Sequence, residues 1–167
     1  MALSPLGKVP VLVTEEGAPL FESNAIARYL ARLDPGSLLF GSTPLEAGQV
    51  EQWIDFTSNE VDAPLVSWVL PLLGPGFPFD SGKQTAAMNS VRKSLSVLDA
   101  VLLRQTYLVG DAVTLADIIA CCNLYLGFKH VFDEDFRRVR GEANVPLGRP
   151  VDVRYIGEQS LKPMITT

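Results

Sequence analysis

Residues that commonly carry chemistry are scarce in this sequence. The 167 residues include one histidine and two cysteines. Cys121 and Cys122 are adjacent within an apolar helical stretch, a spacing that suits neither a disulfide framework nor a CxxC redox or zinc pair. We therefore predict that both thiols pack in the core as small hydrophobic groups. His130 has no Cys, Asp or Glu pattern around it at ligand spacing, and so no metal site is predicted.

Clusters of basic residues and long apolar runs are also missing. The net charge is −5 at pH 7, whereas a surface that binds nucleic acid needs clustered Lys and Arg to contact the phosphates. No stretch reaches the roughly 18 to 20 apolar residues of a membrane span, and the N-terminus lacks the charged-then-apolar layout of a signal peptide. These absences predict a cytoplasmic protein with no direct nucleic-acid partner and no membrane partner.

The apolar pattern changes its period within residues 1–34. Apolar side chains in Val9–Thr14 and Leu20–Phe21 flank a short connection that contains Gly17, which predicts a β-hairpin. From Ser23 onwards the apolar side chains follow the spacing of one helical face. These side chains are Ile26, Tyr29, Leu30 and Leu33. Asp34-Pro35-Gly36 then ends the helix, so the predicted order is strand, strand, helix.

The pattern of residues 43–128 predicts a bundle of long helices. Thr43 and Glu46 form a capping box, with Pro44 at the first helical position. Pro64 should bend or break this helix, because proline has no N–H to donate. The predicted inner faces of the first and second long helices are Val50, Trp53, Ile54, Thr57 and Val61, and Met88, Val91, Leu95, Leu98 and Leu102.

The clearest helix start lies at Thr114. Thr114 as N-cap and Asp117 at the third helical position form a second capping box, and we assign both residues a structural role. The run Leu115–Phe128 is apolar nearly all round, which predicts a helix buried in the centre of its domain. From about Arg138 no helical stripe is found, and residues 138–167 are predicted to be a poorly ordered tail.

Five segments carry a resemblance to a known family. They are "LGKVPVL", "FESNAIARYLARL", "EQWIDF", "YLVGDAVTLADI" and "CNLYLGF". In this order and spacing they resemble the glutathione transferase fold, and most closely the glutathione-transferase-like domain of elongation factor 1 gamma subunits, particularly the plant and algal forms. The resemblance covers about Leu3–Arg137. It implies a mainly α fold with a small β-hairpin.

The family fold also implies a division of the chain. Residues 1–34 would be a partial thioredoxin-like half, residues 43–137 the all-α C-terminal domain, and residues 138–167 a divergent tail in place of the closing helices. The family has a strand-helix-strand-helix segment before the strand that begins near Val9, so we expect a truncated N-terminal half. The edge of Val9–Thr14 would then stay open, which predicts a labile half that self-associates.

The resemblance further implies a candidate glutathione site. In such folds the bond before the strand proline is cis, and the residue before it offers its backbone N–H and C=O to an extended peptide. Ser23 would bring a helix N-terminus and a hydroxyl to a carboxylate, and Glu22 would accept from an ammonium group. The candidate residues are Lys8, Val9, Pro10, Glu22 and Ser23.

The residues alone leave two alternatives open at this site. Glu22-Ser23 also fits an ordinary helix start, since serine is a common N-cap. Val9-Pro10 also fits a trans bond, since proline is allowed at the first residue of a strand.

Three functions are compatible with these features. The resemblance implies a non-catalytic subunit of the translation elongation factor 1 complex that anchors the nucleotide-exchange subunits, with a homodimer as a further assembly. That role requires no cofactor, and weak glutathione binding is the one ligand interaction implied. The alternatives are a glutathione-conjugating transferase and an inactive truncated isoform. A transferase needs a hydrogen-bond donor aimed at the thiolate, and the family supplies it from the segment expected to be missing, so no catalytic residue is assigned.

Overall fold

The computed structural model describes residues 3–74 and 76–132. In these residues two strands precede five α-helices: β1 (Val11–Val13), β2 (Pro19–Phe21), α1 (Ser23–Ala31), α2 (Pro44–Phe56), α3 (Ala63–Val69), α4 (Ser81–Leu102) and α5 (Leu115–His130). A π-helical turn, Thr57–Asp62, joins α2 to α3, and a 3₁₀ turn, Leu70–Leu72, follows α3. The predicted mainly α fold with a small hairpin is confirmed. The predicted tail, residues 138–167, lies outside the described residues, and no described helix has the length and apolar character needed to cross a membrane.

The hairpin forms where the sequence predicts it. β1 and β2 pair antiparallel, with Val11 opposite Phe21. Gly17 occupies the left-handed region with φ 82° in the connecting turn, which glycine adopts without steric cost. Regular pairing begins at Val11 and not at Val9. The bond between Val9 and Pro10 is cis.

α1 packs through small side chains, and its predicted apolar face is only partly correct, since Ile26 and Tyr29 are half-buried. Ala31 is buried and Ala27 lies against the core, whereas Leu30 and Leu33 are 50% and 59% exposed. The helix also ends at Ala31, before Leu33. Because alanine is small, α1 packs closely against the core through Ala27 and Ala31, and Leu30 and Leu33 lie outside this contact.

The capping box at the start of α2 has the predicted partners. The N–H of Glu46 donates to Thr43 Oγ1 at 3.1 Å, and the N–H of Thr43 donates to the Glu46 carboxylate at 3.2 Å. The N–H and hydroxyl of Ser42 also donate to this carboxylate and lower the pKa of Glu46. Because a lowered pKa favours the ionised form in the folded state, this stabilisation is present at neutral pH and is lost as the pH falls through the lowered pKa.

Pro64 is predicted to bend or break the helix, and the structure shows no break. The helix continues from α2 through the π turn into α3, and Pro64 lies in the first turn of α3. A π turn pairs each N–H with a carbonyl five residues back, so it widens the backbone where the proline ring and its missing N–H would disturb an α-helix. The inner face keeps its predicted order, and four of its side chains are fully buried: Val50, Ile54, Thr57 and Val61.

α4 follows its predicted stripe, with four buried residues and Met88 partly buried against them: Val91, Leu95, Leu98 and Leu102. α5 is most fully buried in its first two turns, and Leu124 and Gly127 continue one buried side into its second half. Cys122 is exposed and Tyr125 is 62% exposed, so the predicted burial on all sides is wrong for the second half, as is core packing of Cys122. Within the described residues, α1, α2, α3 and the π turn contact α5, and Cys122 and Tyr125 form an exposed strip on it.

A buried carboxylate organises the start of α5. Asp117 accepts from the N–H of Leu108 and from the N–H and hydroxyl of Thr114, each at 2.8 Å. Thr114 and Asp117 are both 3% exposed. The N–H of Leu115 donates to the carbonyl of Leu39 at 2.8 Å. The helix start is therefore bonded to two separate connecting segments.

Gly127 leaves room for the chain to fold back at the end of α5. The N–H groups of Val131 and Phe132 both donate to the carbonyl of Gly127, at 2.9 and 2.8 Å. The Phe132 ring lies over Gly127, with its centroid 6.3 Å from that of Trp68 and 5.7 Å from that of Phe128. A side chain at position 127 would overlap this ring.

We predict that replacing Asp117 with Ala destabilises the protein more than replacing Thr114 with Ala. The first change leaves the N–H groups of Leu108 and Thr114 buried without an acceptor, which should cost about 2–4 kcal/mol. The second keeps the carboxylate and should cost about 1 kcal/mol. Urea unfolding of both variants measures the two free energies. Equal losses would show that the carboxylate is not the principal anchor.

We also predict opposite effects for two glycine-to-alanine changes within helices. Gly127→Ala should destabilise the protein by about 1–3 kcal/mol, because the new methyl group overlaps the Phe132 ring. Gly48→Ala in α2 meets nothing within 4 Å and should stabilise the protein by up to about 1 kcal/mol through helix propensity. Thermal unfolding compares them. If Gly127→Ala leaves the stability unchanged, the Phe132 ring does not lie over Gly127.

Candidate functional site

The structure places the five candidate residues at one end of the hairpin. Lys8, Val9 and Pro10 precede β1, and Glu22 and Ser23 follow β2. Since Val11 lies opposite Phe21, continuing this register towards the open end of the hairpin sets Pro10 and Val9 across from Glu22 and Ser23. All five residues are exposed.

The N-terminus of α1 has no side-chain cap. Glu22 is the N-cap residue, with φ 72° and ψ 113°, and its side chain makes no capping hydrogen bond. Ser23 is therefore the first helical residue and not the N-cap, so an ordinary serine-capped start is ruled out. The first amide with a partner in the helix is that of Ile26, which donates to the Glu22 carbonyl at 3.0 Å. Uncapped amides and the positive end of the helix dipole suit an anion.

Glu22 holds a backbone conformation that is rare for a residue with a side chain. Its φ of 72° lies in the left-handed region, and it is the one described non-glycine residue with a positive φ. Such a conformation costs of the order of 1–3 kcal/mol unless the surroundings determine it. Outliers of this kind cluster at ligand sites, and this one lies directly before the uncapped amides of α1.

The chemistry available at this end of the hairpin is that of binding. The α1 amides and the Ser23 hydroxyl can donate to a carboxylate, the Glu22 carboxylate can accept from an ammonium group, and Lys8 adds a positive charge. Among the described residues, no group of three His, Cys, Asp or Glu is placed to hold a metal ion.

Hydrogen bonds that the sequence did not predict connect α1 to the helical part. Asn24 Nδ2 donates to Ser58 Oγ at 2.8 Å, and Asn123 Nδ2 donates to Ser58 Oγ at 3.4 Å and to Thr57 Oγ1 at 3.2 Å. Ser58 Oγ donates in turn to the carbonyl of Ile54 at 2.7 Å. We call these side chains of Asn24, Thr57, Ser58 and Asn123 the polar node. It joins α1, the π turn and α5, and it begins one residue after Ser23.

Ion pairs hold the other end of α1 against α2. Arg28 Nε lies 2.6 Å from Glu51 Oε2, and Arg28 Nη2 lies 3.3 Å from Asp55 Oδ1. Arg32 Nη2 lies 3.4 Å from Glu51 Oε1, and its guanidinium lies 4.1 Å from the centroid of the Phe40 ring. The arginine spacing of four residues was a possible signal for this contact, because it sets both side chains on one face of α1.

Asp62, the last residue of the π turn, is a further residue that the sequence analysis missed. Burial raises the pKa of its carboxyl group. A raised pKa means that the folded state penalises the ionised form. Asp62 therefore destabilises the folded state increasingly as the pH rises from the ordinary pKa of an aspartate through the raised pKa. Carboxyl groups with a raised pKa are common at functional sites, but this one carries no assigned role.

The family matches agree with this architecture. The family described as "Glutathione S-transferase, C-terminal domain" matches residues 61–141, and the corresponding N-terminal domain family matches residues 1–33. A glutathione S-transferase from Rhodospirillum rubrum is 30% identical, with a TM-score of 0.66, over 90% of this chain and 72% of that chain. The chain belongs to the glutathione S-transferase family.

Within this family the chain is similar to the elongation factor 1-gamma proteins. It is 48% identical over 136 residues to elongation factor 1-gamma 3 of rice, which covers 81% of this chain. The glutathione-transferase-like domain of elongation factor 1-gamma from Saccharomyces cerevisiae has the same fold, with a TM-score of 0.76 at 24% identity over 96% of this chain and 74% of that chain. This glutathione-transferase-like chain spans 32% of the length of the rice protein.

Proposed function

We propose that this glutathione-transferase-like chain is a non-catalytic subunit of the translation elongation factor 1 complex. In this role it works in the cytoplasm and anchors the nucleotide-exchange subunits through its surface. The observation that carries the proposal is its 48% identity to a rice elongation factor 1-gamma, against 30% to the Rhodospirillum transferase. The resemblance includes "EQWIDF" in α2 and "CNLYLGF" in α5, which lie in the helical part.

The exposed strip of α5 supports a role in assembly. Cys122 and Tyr125 are open to solvent on a helix whose other side is buried in the bundle. Tyrosine is enriched in protein interfaces, because it combines a large apolar ring with a hydroxyl group. A rigid helix that exposes such a side chain suits binding by surface complementarity.

We predict that the full chain forms a stable complex with the nucleotide-exchange subunits of elongation factor 1 and does not turn over chlorodinitrobenzene with glutathione. Gel filtration with light scattering measures the complex, and absorbance measures the turnover. The matched control is a catalytically active glutathione transferase, which should give the reverse pair of results. No complex together with turnover above background would favour the enzyme, and neither result would favour an inactive isoform.

Binding of glutathione is a second function that a specific observation favours. The uncapped α1 amides and the Ser23 hydroxyl lie at the same end of the hairpin as Val9. The γ-glutamyl group of glutathione carries a carboxylate and an ammonium group on one carbon. The first suits the amides at Ser23, and the second suits the Glu22 carboxylate. This site would bind glutathione weakly, since all its side chains are exposed.

We predict that millimolar glutathione slows hydrogen exchange at the first amides of α1, in proportion to its occupancy. Ser23→Ala should weaken this protection. Ser81→Ala is the matched control, because Ser81 is also exposed and is also the first residue of a helix, but its N-terminus is capped by Asp80. If glutathione leaves the hydrogen exchange of the α1 amides unchanged in the unmodified protein, the site does not bind glutathione, and assembly remains as the single proposed function.

A further inference from the structure

We draw no further inference here: the strongest candidate, the exposed apolar side chains of Leu72, Leu73, Phe77 and Phe79 on the segment that joins α3 to α4, carries none because nothing in the structure shows what covers them.

Discussion

The carboxylate of Asp117 is the contact on which the helical part most depends. It accepts hydrogen bonds from two buried backbone amides and a hydroxyl, and it thereby fixes where α5 begins. α1, α2, α3 and the π turn all contact α5, so the start of this helix sets the position of their common neighbour. Loss of this buried acceptor should strongly destabilise the fold, because an unpaired buried amide costs more free energy than a formed hydrogen bond contributes.

α1 depends on a different kind of contact, and this difference bears on the candidate ligand site. The helix has small residues against the core, and Asn24 in the polar node and the arginines that pair with Glu51 add polar contacts to the helical part. These contacts fix α1 to the helical part. The uncapped N-terminus beside Ser23 is thus held in place even though the adjoining sheet has only two strands among the described residues. The position of this N-terminus follows from the bundle as much as from the hairpin.

The hairpin and the helical part suit different functions. The hairpin and the start of α1 bring exposed polar groups together, which suits the binding of a small peptide-like ligand. The helical part carries much of the resemblance to elongation factor 1-gamma and has the rigidity that a subunit interface needs. Under the two proposals, one chain combines a ligand-binding hairpin with helices that serve assembly.

The sequence by itself determined those features whose cause is local. The hairpin, both capping boxes and the α4 stripe follow from turn residues, caps and period, which act over a few neighbouring positions. Tertiary structure decided the rest. Whether Leu30, Leu33 and Cys122 are buried depends on which helices cover them, and the spacing of apolar residues along one helix does not predict this. Pro64 was tolerated because a π turn widened the helix beside it, and the polar node depends on residues 24, 58 and 123 meeting in space. Contacts between positions so distant in sequence leave no periodic signal, because packing of whole elements brings them together.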